Sequence, residues 1–169
     1  MTAKEIISYK TIQEGQTPSV FIDSEMPVLE VIPRLLDSPG RQLGVKEEEK
    51  ILGIIDETSL LEGLGRMIAA RDDCSVITVE CAPEDYSASV IAHAVEDTDA
   101  HLVDLFSMPA ENGKMRVTLR VRHIDPAAAV RSLERYNFEV VEAHASADAP
   151  QSIEIATERL LSLQVLMNV

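Results

Sequence analysis

Catalysis in a short chain needs nucleophiles, acids and bases, or metal ligands at spacings that one element can bring together. The metal and proton-transfer candidates are His93, His101, His123 and His144. No pair of them has the i, i+4 spacing that sets two imidazoles on one helix face, and neither Cys74 nor Cys81 accompanies them in zinc-type spacing. Structural or surface roles are expected for all four. No serine lies in a G-x-S-x-G turn, and neither cysteine has a nucleophile context. Gly63-Leu64-Gly65 lacks the third glycine and the preceding strand of a dinucleotide fingerprint and reads as a small-residue packing face. Glu84-Asp85 is a carboxylate pair at a helix start, where it stabilises the helix dipole, with amine binding as the alternative. Arg116, Arg120 and Arg122 share one strand face and are expected to pair with acidic side chains across the sheet or a dimer interface. Cys81 alternates with Glu80, which is expected to face solvent, so the thiol is expected in the core. These residues form no catalytic constellation, and the expectation is a non-enzyme with no metal and no cofactor.

Composition narrows the partners. The 169 residues carry 15 basic and 29 acidic side chains, a net charge of -14. Up to Ala70 there are 7 basic and 12 acidic residues, a balance of -5; beyond it there are 8 and 17, a balance of -9. Neither part is a basic module, so nucleic acid and anionic membranes are not expected partners. A hydrophobic fraction of 46% is enough to bury a core, and an aromatic fraction of 4% makes that core aliphatic. The N-terminal residues Met1 to Lys10 lack the apolar region of a signal peptide, and no apolar run approaches a membrane span. Two cysteines with six residues between them fit neither a disulfide framework nor a zinc ribbon, which points to a reducing, cytoplasmic setting.

Periodicity then assigns the elements. Residues 18–23 read as a strand, and Val28, Leu29, Val31, Ile32, Leu35 and Leu36 read as a helix stopping at Gly40. Pro33 inside that helix predicts a kink or late start, since an interior proline costs about 3 kcal/mol. Leu43–Val45 and Ile51–Ile55 form a hairpin around the charged tip 46–50, and Asp56 or Thr58 caps a helix through Leu60, Leu61, Leu64, Met67 and Ile68. The polar break Arg71-Asp72-Asp73 predicts a boundary near residue 71. Beyond it come a strand 75–81, a helix 86–96, strands 102–107 and 115–123 around an Asn112-Gly113 turn, a helix opened by Asp125-Pro126, and a strand 138–143. Asp148 and Gln151 resemble a capping box for a C-terminal helix that must pack on its own chain or in a subunit interface.

The first stretch, VFIDSEMPVLEVIPRLL, RQLGV, ILGIID and SLLEGL in that order, resembles a CBS motif covering residues 1–70. CBS motifs work in pairs that bind adenine nucleotides or S-adenosylmethionine in the cleft between them. With one copy here, the resemblance implies completion by a second chain, with Val20, Gly53, Ile55, Asp56 and Ser59 as ligand-binding candidates. Asp56 and Ser59 stand where the family carries Thr and a ribose-binding Asp.

The second stretch is similar to an ACT domain over residues 74–146, carried by VITVECAPEDYSASVIAHAV and by the β-α-β-β-α-β order. ACT domains bind amino acids or similar metabolites at dimer interfaces, often beside the loop after the first strand. The resemblance implies Pro83, Glu84, Asp85, Tyr86, Ser87 and His101 as ligand-binding candidates. Tyr86 or Ser87 stands where the family has a glycine, and a β-carbon there narrows the usual pocket. CBS followed by ACT resembles acetoin-utilisation-type regulatory proteins, which carry two CBS copies.

The expectation is thus an α+β chain: a β-α-β-β-α CBS-like unit, a ferredoxin-like β-α-β-β-α-β unit, and a C-terminal helix over 148–167. Its expected function is regulatory sensing of an adenosyl compound or amino acid between subunits of a homodimer. The alternative is an oligomerisation scaffold or adaptor with degenerate pockets.

Overall fold

The computed structural model describes residues 1–7, 18–68 and 73–167, except for the side chains of 158, 160, 161 and 163–167. The Arg71-Asp72 break and the side chains of Leu160, Leu161, Leu163, Leu166 and Met167 lie outside the described residues. The fold is α+β, and the chain divides into two units, Met1–Ala70 and Arg71–Val169.

In the first unit, strand β1 (Phe21–Asp23) leads into helix α1 (Val28–Asp37), a hairpin of β2 (Gln42–Glu47) and β3 (Lys50–Asp56), and helix α2 (Glu57–Met67). β1 is shorter than the expected run and pairs in parallel with β2, which pairs antiparallel with β3. The helix α1 starts on time and runs through Pro33. That proline sits only one and a half turns in, so what it removes is one hydrogen bond near the helix start. Val28, Val31 and Leu35 recur at i, i+3, i+7 and are buried with Ile22, Leu43, Val45, Ile55 and Leu60. A 3-10 turn, Ala3–Ile6, closes the core against α2. Gly63 makes this approach possible: a β-carbon on it would stand 2.3 Å from the Ile6 Cγ2. Arg66 Nη2 donates to the Glu5 carbonyl at 2.9 Å beside that contact.

The second unit runs β4 (Cys74–Cys81), α3 (Ala88–Glu96), β5 (His101–Pro109), β6 (Met115–Arg122), α4 (Ala127–Arg135), β7 (Glu139–His144) and α5 (Gln151–Met167). The strands form one antiparallel sheet in the order β5-β6-β4-β7. Ile77, Val79 and Cys81 of β4 and Val117, Leu119 and Val121 of β6 point to one face and are buried against Ile91, Ala94 and Val95 of α3 and Ala129, Val130 and Leu133 of α4. That alternation follows from the two-residue repeat of a strand with one face in the core.

Local chemistry sets the element ends. Asn112-Gly113 turns the β5–β6 hairpin, with Gly113 at φ 80 and the Asn112 Oδ1 accepting from the Lys114 N–H at 3.0 Å. Asn137 at φ 65 stops α4 in the left-handed conformation asparagine tolerates. Pro126, not Asp125, occupies the cap of α4, although the Asp125 carboxylate still accepts from the Ala127 N–H at 2.9 Å. α5 opens after Pro150, two residues beyond the expected cap at Asp148, and runs beside β7. No helix among the described residues is long and apolar enough to cross a membrane.

Candidate functional site

The five candidates of the first unit do not share one environment. Ile55 is fully buried in the core, opposite Leu43 on the hairpin ladder, and Val20 packs on the edge of the same cluster. Gly53 is buried opposite Val45. Asp56 and Ser59 close a reciprocal capping box on α2. The Asp56 Oδ1 accepts from the Ser59 N–H at 2.8 Å, and the Ser59 Oγ accepts from the Asp56 N–H at 2.9 Å. The Ser59 hydroxyl also lies 2.8 Å from the Asp56 Oδ1 and is buried, so it is committed to the helix start.

In the second unit, Pro83–Asp85 forms an exposed 3-10 turn after β4, and Ser87 caps α3 by accepting from the Val90 N–H at 3.4 Å. The helix therefore begins two residues later than its apolar pattern suggests, because the serine takes the cap. Tyr86 packs on the core, and its hydroxyl donates to the Ser107 Oγ at 3.2 Å, holding residues 82–87 against β5 near its C-terminal end. His101 opens β5 at its other end, opposite Arg122, roughly 20 Å along the strand from Ser107. Pro83 to Ser87 thus form one cluster, and His101 lies outside it.

The histidines are dispersed. His93 meets the Tyr136 ring edge-on at 5.8 Å, His123 Nδ1 lies 2.8 Å from the Asp125 carbonyl, and His144 Nε2 lies 2.7 Å from the Glu142 Oε1. Among the described residues no group of three His, Cys, Asp or Glu is placed to hold a metal ion.

No family model matches the chain, and no curated protein sequence matches it. Among solved structures, it is similar over 46% of its length to 90% of the C-terminal domain of the MgtC protein from Mycobacterium tuberculosis, at 20% identity and a TM-score of 0.36.

On the sheet face away from α3 and α4, Arg116 and Arg120 pair with acidic cross-strand neighbours, and Arg122 with Asp73 just before β4. Arg120 Nε donates to Asp104 at 2.6 Å, directly opposite it on β5, and Arg122 Nε lies 3.7 Å from the Asp73 carboxylate. Arg116 donates from Nε and Nη2 to the Glu80 Oε1 at 2.9 and 2.6 Å. Glu80 does not face solvent as its alternation suggested: it is 4% exposed. The hairpin turn folds back over it, the Asn112 amide donating to its Oε2 at 2.8 Å and Lys114 bridging from there to Glu139. These donors, Asn112 first and Arg116 next, hold the Glu80 carboxyl below the usual carboxylate range. Cys81 is buried at the end of the same strand, and burial, reinforced by the Asp85 charge, pushes its thiol up. A thiol so placed is a poor nucleophile.

Proposed function

We propose that this chain is a non-catalytic regulatory protein that senses a small molecule as a cytoplasmic homodimer, with a CBS-like first unit and a ferredoxin-like, ACT-like second unit. The observation that carries this reading is the Tyr86–Ser107 hydrogen bond, which ties the 82–87 loop to β5. β5 is an edge strand of nine residues, with Phe106 and Met108 exposed on it. A long edge carrying apolar side chains offers its unpaired backbone groups to another strand. A second copy pairing along β5 would bring its surface next to Pro83, Glu84, Asp85, Tyr86 and Ser87, so that a ligand held there would touch both subunits and bias their arrangement. An amino acid suits this loop better than an adenosyl compound suits the first unit, where Ser59 is already engaged by Asp56.

One observation favours a second reading. Tyr86 is half-buried against the core and fills space beside the loop, as a scaffold or adaptor with a closed pocket would require.

Light scattering on the purified chain, followed by thermal shift with ATP, ADP, AMP, S-adenosylmethionine, NAD and each standard amino acid, separates the two. A ligand at 100 times its dissociation constant adds about 2.7 kcal/mol to stability. A dimer stabilised by one of these compounds supports the sensor. A dimer that none of them shifts moves the assignment to the scaffold, and a monomer overturns both forms of subunit pairing.

A further inference from the structure

The outer sheet face carries a groove of about 480 Å³ lined by Thr78, Arg116, Thr118, Val141 and Glu142, opposite the face on which Tyr86 packs. We infer that this groove is a binding site for a small zwitterion, a free amino acid, with its carboxylate toward Arg116, its ammonium toward Glu142 and its polar centre over the Thr78 and Thr118 hydroxyls.

Three features of the sheet build the site. The register of β7 against β4 slips between Thr78 and Val79, so Val140 pairs with Val79 and Glu142 with Thr78, leaving Val141 as an extra residue. Such a bulge re-aims side chains, and here Val141 and Glu142, consecutive in sequence, both line the groove. The floor is formed by Thr78, buried, and Thr118 directly across the ladder, with their Oγ1 atoms 3.4 Å apart. One proton is shared between them, which leaves one hydroxyl hydrogen and free lone pairs for a guest.

The charged groups are held by other partners before any ligand arrives. Glu80 takes Arg116 through Nε and Nη2, leaving Nη1 among the described residues, and His144 takes the Glu142 Oε1, leaving Oε2 among them. Anchoring Arg116 on the buried Glu80 carboxylate lowers the ordering cost of binding there. Arg116 and Glu142 are separated by two strand spacings and a two-residue step, roughly 12 Å at the backbone, and side chains reaching inward leave room for a molecule with opposite charges at its ends. The groove is open to solvent, and Val141 offers contact to a short apolar side chain.

The test is amide NMR on the isotope-labelled full chain, titrated with each standard amino acid singly. At least one of them is expected to shift the Thr78, Thr118 and Glu142 amides saturably. Glu142→Gln should weaken that binding by at least about tenfold, Thr118→Val should do the same, and Thr118→Ser should restore it. The inference is overturned if no amino acid moves these amides, or if Glu142→Gln binds like the parent chain. Shifts confined to residues 82–87 also overturn it while supporting the loop site proposed above.

Discussion

Phe21 lies directly across the parallel β1–β2 ladder from Gly44, and its ring fills the space a side chain there would need: a β-carbon on Gly44 would stand 2.4 Å from two ring carbons. Gly44→Ala is expected to displace the ring and to destabilise the first unit by about 1–3 kcal/mol, the usual range for overpacking. Hydrogen exchange in β2 and β3 reads this directly, and unchanged protection would show that the ring swings away at no cost.

The Asp56–Ser59 capping box is expected to contribute mainly to α2. Asp56→Ala and Ser59→Ala should each lower stability by about 0.5–2 kcal/mol, with faster exchange at the first-turn amides. A loss of adenosyl-compound binding without that loss of protection would reassign Ser59 to a ligand.

Acid stability should depend on Glu80. Its folded carboxyl titrates below the ordinary value of 4.5, so the unfolded chain takes up the proton first as pH falls. The stabilisation is complete above the ordinary value and is lost as pH drops through the depressed one. Removing the charge with Glu80→Gln should flatten the acid limb of the stability profile in that window. Denaturant titrations at stepped pH measure it, and an acid limb identical to the parent's would show that the Asn112 and Arg116 bonds do not differ between the two states.

Cys81 should resist alkylation in the folded chain near neutral pH, because its thiol is buried and raised. Iodoacetamide labelling followed by peptide mass analysis should mark it only after denaturation. Rapid native labelling at Cys81 would mean that β4 opens at its C-terminal end.

Much of the fold was legible because it is local. Val117, Leu119 and Val121 announced their strand by alternation, Asn112-Gly113 its turn, and the cap candidates Asp56 and Thr58 the start of α2, where Asp56 takes the cap, since each signal is contained within a few neighbouring residues. Helix starts moved where a cap competed with the apolar pattern, as at Ser87, and α1 runs through Pro33, which removes one hydrogen bond near the helix beginning.

The candidate site was less legible. The loop 83–87 stands together as a contiguous segment must, whereas His101 belongs to the far end of β5, a separation set by strand length. Strand alternation alone places Glu80 on the face opposite Cys81. Whether that face is open water or a satisfied carboxylate depends on which residues of β6 and its turn lie across the ladder, thirty and more positions away. Register and the β7 bulge decided that, because cross-strand pairing joins residues whose separation along the chain carries no periodic signal.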